Sequence, residues 1–123
     1  MIRINKHSKL SLSIEFDEEG AKELLSALKK TISMQNAIIQ VNNELKGGAI
    51  DLEFIQDDDM NRIVFNNNRI ILRMDTEDIE YTIERLIDGM DSKYFYPAEV
   101  CECAQNRKRK DIAVYAQFIN KDK

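Results

Sequence analysis

The feature that most constrains the fold is a strand that stops at an aspartate and continues directly as an amphipathic helix. In residues 69–90, alternating aliphatic positions predict a half-buried strand, and Asp75 then has the side chain and position of a helix N-cap. Glu77 and Asp78 fall in the first turn, where the helix dipole favours negative charge. Gly89 is the predicted end of this helix. The apolar positions of the unit are Ile70, Leu72 and Met74 in the strand and Ile79, Ile83, Leu86, Ile87 and Met90 in the helix.

The same arrangement occurs 58 residues earlier in the chain. Residues 10–16 alternate as a one-sided strand, Asp17 is the predicted N-cap, and a helix is predicted to extend to about Ser33. At this offset Phe16-Asp17 matches Met74-Asp75. A repeated unit and the independent use of an acidic cap both account for the match. The buried stripe of this helix is expected to contain Ala21, Leu24, Leu25, Leu28 and Ile32.

Short strands joined by tight turns account for the rest of the pattern. Gly47-Gly48 fits a hairpin turn, and Asn66–Asn68 fits a second one because Asn tolerates positive φ. Residues 1–9 are expected to form a short edge strand or a tail. The other predicted strands are Ala37–Leu45, Ile50–Phe54, Arg62–Phe65, Ala98–Ala104 and Ile112–Phe118.

This pattern predicts a single α+β domain over residues 1–123, with the element order β-α-β-β-β-β-α-β-β. Short turns between successive strands favour a mainly antiparallel sheet, with the two helices packed on one face. The expected core contains Leu12, Ile14, Phe16, Leu25, Leu28, Leu52, Phe54, Leu72, Ile83, Leu86, Val114 and Phe118.

Charge is unevenly distributed along the chain, whose net charge is −4. Residues 51–91 contain twelve acidic and four basic residues, whereas residues 92–123 contain four acidic and seven basic ones. The acidic middle third is expected to repel nucleic acid and anionic membranes and to attract a basic partner. A purely solubilising surface is the alternative interpretation.

The residue types that catalysis or metal binding requires are sparse. His7 is the single histidine, and Cys101 and Cys103 form one CxC pair, whereas zinc usually needs four ligands. Both cysteines are expected to be reduced and buried on one face of a strand, where a thiol is inert. We therefore predict no enzymatic activity, no metal and no cofactor. The N-terminal residues have no apolar signal-peptide core, which predicts a cytoplasmic protein that no apolar segment anchors in a membrane.

The segment SIEFDEEGAKELLSALKK, residues 13–30, is similar to the openings of some immunity proteins of bacterial toxin systems. The whole chain resembles these proteins, including those of contact-dependent growth inhibition, in size, acidity and element order. The resemblance implies a cognate protein toxin, often a basic nuclease, bound through charged and aromatic contacts. The basic run Arg107–Lys110 supports the alternative of a small nucleic-acid-binding or regulatory module.

The predicted contact residues for such a partner lie in and around the acidic third. Asp75 is excluded from them because we expect its carboxylate to cap the helix. Tyrosines are included because Tyr is common among the residues that dominate binding energy. The predicted partner-binding residues are Asp57, Asp58, Asp59, Glu77, Glu80, Tyr94 and Tyr96.

Overall fold

The computed structural model describes residues 1–8, 11–92, 98–105 and 112–119. These residues form an α+β domain, the predicted class, with two helices of 17 residues, α1 (Glu18–Met34) and α2 (Thr76–Ser92). Neither helix is long and apolar enough to cross a membrane. The strands of the described part are β1 (Ile2–Ser8), β2 (Ser11–Phe16), β3 (Asn36–Asn43), β4 (Ala49–Gln56), β5 (Arg62–Asn66), β6 (Arg69–Met74), β7 (Ala98–Gln105) and β8 (Ile112–Phe118).

The strands form a closed barrel in the order β1-β2-β8-β7-β5-β6-β4-β3. Antiparallel pairs alternate with parallel pairs around the ring. The prediction of a mainly antiparallel sheet is therefore wrong in part, because turn rules identify hairpins and say nothing about strands that meet from distant parts of the chain. The predicted element order also lacks β1, which pairs with β2 on one side and β3 on the other and is neither an edge nor a tail.

The two halves of the chain have the same topology. Each half contains two strands, a helix and two more strands, and each makes the same hairpin pairings. The parallel ladders β2–β8 and β4–β6 join one half to the other. Among the described residues, the parallel ladders β1–β3 and β5–β7 each contain two residue pairs, whereas β2–β8 and β4–β6 contain six each. We therefore treat the ring as two four-stranded sheets that meet at the β1–β3 and β5–β7 seams. We call these the β4–β6 sheet (β3-β4-β6-β5) and the β2–β8 sheet (β7-β8-β2-β1).

One apolar core joins both sheets and both helices. The two helices contact each other. The buried residues of both helices form one cluster with the inward-facing apolar residues of the strands, so both helices lie on the inner side of the sheet. Nine of the twelve predicted core residues are buried, while Leu25, Ile83 and Phe118 are partly buried against the core. Cys103 is buried and reduced, as predicted, while the side chain of Cys101 lies outside the described residues.

Both predicted N-caps are confirmed. The backbone N–H of Gly20 donates to Asp17 Oδ1 at 2.8 Å, and that of Asp78 donates to Asp75 Oδ1 at 2.8 Å. The predicted end of α2 is wrong, because the helix continues through the buried Gly89 to Ser92. A small residue at a buried helix position permits close packing, and here it does not terminate the helix.

The turns follow the predicted positions with one difference in conformation. Gly47 and Gly48 have φ of 85° and 78°, values that favour glycine. Asn67 and Asn68 form the tight connection from β5 to β6, but neither has positive φ. The asparagines were therefore the right signal for a turn, although the conformational reason given for them was wrong.

Gln35, which ends α1, is a non-glycine residue with φ of 71°, in the left-handed region. Glycine has no Cβ and adopts this conformation without a steric clash, so we expect Gln35→Gly to raise the free energy of unfolding by about 0.5–1 kcal/mol. Urea denaturation monitored by circular dichroism measures this change. Gln40→Gly on the exposed face of β3 is the matched control, and we expect it to destabilise the protein because Gly weakens strand interiors. Destabilisation by both substitutions would contradict the interpretation.

Candidate protein-binding surface

The acidic loop between β4 and β5 is fixed to the N-terminal end of α2. Asp58 Oδ1 accepts hydrogen bonds from the backbone N–H of Thr76 at 2.9 Å and from Thr76 Oγ1 at 2.8 Å. Thr76 Oγ1 in turn accepts from Gln56 Nε2 at 2.6 Å. Asp58 therefore satisfies a backbone N–H of the first helical turn that has no partner within the helix.

Asn61 and Asp57 hold the two ends of this loop in place. Asn61 Nδ2 donates to Asp78 Oδ2 at 2.6 Å, and Asn61 Oδ1 accepts from the backbone N–H of Asp75 at 2.8 Å. Oδ2 of Asp57 lies 3.4 Å from Nη1 of Arg73, and Oδ1 of Asp57 accepts a hydrogen bond from the backbone N–H of Asp59 at 3.1 Å. The structure thus brings the two predicted acidic segments, separated by some 18 residues of sequence, into direct contact.

The hydrogen bonds from Thr76 hold the pKa of Asp58 below its ordinary value, with the backbone N–H as the larger cause and the hydroxyl as the second. A carboxyl group with a lowered folded-state pKa stabilises the fold above its unfolded-state pKa. That contribution is lost as the pH falls through the folded-state pKa.

We expect Thr76→Val to raise the pKa of Asp58 part of the way towards its ordinary value, because this variant removes the hydroxyl donor and keeps the backbone N–H donor. NMR titration of the side-chain carboxyl carbons measures the pKa of Asp58 in the parent and in the variant. The parent protein, titrated under the same conditions, is the control. An Asp58 pKa that is the same in the parent and the variant would show that the hydroxyl makes no such bond.

A single stripe of residues faces solvent along α2. The exposed positions recur every three or four residues, which places them on one side of the helix. Five of them are acidic and none is basic, and the stripe extends about 21 Å at 1.5 Å per residue. Two exposed apolar side chains interrupt the acids. The stripe consists of Glu77, Glu80, Tyr81, Glu84, Ile87, Asp88 and Asp91.

The loop and the stripe form one continuous acidic surface, because Asp58 is bonded to the first residue of α2. We call residues 57–59 together with this stripe the acidic loop–helix surface. Glu77 and Glu80, two of the predicted contact residues, are exposed on it. Asp57 and Asp58 were predicted only as contact residues for a partner, but they also hold the loop to β6 and α2. Tyr94, Tyr96 and the run Arg107–Lys110 lie outside the described residues.

Five residues of this surface were not among the predicted contact residues: Tyr81, Glu84, Ile87, Asp88 and Asp91. Tyr81 is 44% exposed and Ile87 is 39% exposed, and Glu84 lies between them on the same face. Ile87 was predicted as one of the apolar positions of the helix, but it faces solvent because it lies about 100° around the helix from the buried Leu86. The helical spacing from Glu77 and Glu80 would have placed all five on the outer face.

The chemistry that this surface supports is recognition of positive charge. Within the described ranges, no group of three or more His, Cys, Asp or Glu residues is arranged to hold a metal ion. No protein-family model matches the chain, and no curated protein sequence is significantly similar to it.

Proposed function

We propose that the chain is a cytoplasmic immunity protein that binds a cognate bacterial toxin domain with a basic surface and so neutralises it. The observation that carries the proposal is the acidic loop–helix surface. Its exposed stripe presents five carboxylates without a basic residue among them, in a chain whose net charge is −4. A surface of one sign steers a partner of opposite sign into the correct orientation and raises the association rate.

Two exposed apolar side chains support protein recognition over simple solubility. Tyr81 and Ile87 stand between carboxylates on the same helix face. Apolar and aromatic residues surrounded by a charged rim are typical of interface centres, where a small number of side chains contribute most of the binding energy. Exposed tyrosine and isoleucine side chains do not increase solubility, so a purely solubilising role does not account for them.

The loop is also suited to binding, because its own hydrogen bonds hold it to the helix before any partner arrives. Asp58 and Asn61 each contact residues of the helix N-terminus. A surface that is already ordered loses less conformational entropy on binding than a disordered one. The exposed Asp59, Glu77 and Glu80 are therefore presented in fixed positions.

The experiment that tests the proposal is co-expression of the chain with a candidate toxin encoded beside its gene. We expect growth to be restored by the chain and a stoichiometric complex to be recovered from the same cells. Growth arrest that persists at full expression of the folded chain would contradict the proposal. Binding of generic DNA or RNA that falls steeply with salt would instead support the nucleic-acid-binding alternative.

A further inference from the structure

The outer face of the β4–β6 sheet contains more aliphatic surface than a solvent-facing sheet needs. Both helices lie on the inner side, so no helix of the described chain covers this face. Ile38 on β3 is 46% exposed, and Ile55, Val64 and Ile71 on the neighbouring strands are half-buried. Val64 pairs directly with Ile71 across β5 and β6, so the apolar positions are contiguous there.

The internal symmetry of the barrel supplies a control for this observation. In the β2–β8 sheet, Asn5 pairs with Ser13 at the positions that Val64 and Ile71 occupy in the β4–β6 sheet. Likewise, Gln117 pairs with Glu15 where Ile55 pairs with Arg73. The same fold therefore accepts polar residues at these outer positions, and the aliphatic ones are not required by the barrel.

Charges on this face are arranged by strand. β4 presents Asp51 and Glu53, while the neighbouring β6 presents Arg69 and Arg73. Arg69 lies 3.8 Å from Asp51 and 3.2 Å from Glu53, and Asn36 donates to Glu53 at 3.1 Å. The carboxylate of Glu53 is thus satisfied within the chain and can be covered without leaving an unpaired charge.

We propose that this face is the interface of a homodimer whose two-fold axis is parallel to the strands and passes between β4 and β6. Such an axis places β4 of one chain opposite β6 of the other, and β3 opposite β5. By the strand register, Ile38 then faces Val64 of the second copy, and Asp51 faces Arg69 of the second copy. An axis perpendicular to the strands would instead place Arg69 against Arg73, so the charges select one orientation.

The size of the face is consistent with a weak dimer. Four strands spaced by about 4.8 Å and about seven residues long give a flat outline of roughly 450 Å². Side-chain relief enlarges this outline toward the ~800 Å² per partner of a standard interface. We therefore expect a dissociation constant in the micromolar range, with the two sheets packed in the aligned manner of β-sandwiches.

Sedimentation equilibrium of the full chain tests the proposal, with a monomer–dimer equilibrium as the expected result. We expect Ile38→Glu to weaken dimerisation at least tenfold, because it places a charge opposite Val64 of the second copy. Ile87→Glu on α2 is the matched control, with a similarly exposed isoleucine, and should leave the equilibrium unchanged. A parent protein that stays monomeric up to about 1 mM would overturn the proposal.

A charge exchange tests the orientation of the two chains. Arg69→Asp and Asp51→Arg should each weaken the homodimer, because each creates two like-charge contacts across the interface. Mixing the two variants should restore dimerisation as a heterodimer, since each substituted side chain then meets its opposite. A loss of stability within one chain cannot produce such restoration. Failure of the mixture to dimerise, with both variants folded, would overturn the proposed axis.

Discussion

Replacing Phe16 by alanine is expected to lower the free energy of unfolding by about 3–5 kcal/mol, the range for a fully buried aromatic side chain. Phe16 has no exposed surface, and its ring contacts that of Phe118 edge to face with 5.0 Å between centroids. Such a pair contributes about 0.5–1.5 kcal/mol beyond burial. Phe16 is on β2 and Phe118 on β8, so the substitution weakens the parallel ladder that joins the two halves of the chain.

Phe65→Ala is the matched control for this prediction. It deletes the same atoms from a side chain that is 47% exposed on β5, so its cost should be well under half that of Phe16→Ala. Urea denaturation followed by far-ultraviolet circular dichroism gives both values at one temperature. Equal destabilisation by the two substitutions would show that Phe16 is not at the centre of the core.

Replacing Glu77, Glu80 and Glu84 together by lysine is expected to weaken binding to the proposed toxin partner by about 100-fold or more, which is ~2.7 kcal/mol. The three side chains are exposed on one face of α2. Reversal converts three attractions to a basic surface into three repulsions, which slows association and destabilises the complex. Isothermal titration calorimetry at two salt concentrations measures the affinity and its electrostatic part.

The matched control for this variant lies on the other helix. Glu18, Glu19 and Glu23 are exposed on α1, and their replacement by lysine changes the net charge of the chain by the same amount. We expect this control to bind within a few-fold of the parent, since α1 is outside the acidic loop–helix surface. Equal loss of affinity in both variants would mean that binding responds to net charge and not to this surface.

The helices and their beginnings could be predicted from sequence because the signals are local. Asp17 and Asp75 cap helices that start in the next residue, and the periodicity of apolar residues marks the inner faces. Closure of the barrel could not be predicted in this way. It depends on parallel ladders such as β2–β8, whose partner residues are some 100 positions apart in sequence. Alternation of apolar residues identifies a strand but does not identify its neighbour.

The acidic loop–helix surface was predictable in composition but not in its internal contacts. The acidity of residues 51–91 is visible in the sequence, and the structure joins its loop to its helix. Asp58 can bind Thr76, which is 18 residues later in the sequence, because the antiparallel pair β5–β6 brings the chain back to the loop. The match between Phe16-Asp17 and Met74-Asp75 corresponds to equivalent strand–helix junctions in two halves of identical topology.

NMR shift mapping of the chain with and without the proposed toxin partner tests the central claim most directly, because it locates the contact on the unaltered protein. We predict that the largest backbone amide shift changes fall at residues 57–61 and on the exposed stripe of α2, including Glu80, Tyr81 and Glu84. The outer residues of the β2–β8 sheet, such as Asn5 and Gln117, should change little. Large changes on that sheet, with none along α2, would contradict the assignment of the acidic loop–helix surface as the binding site.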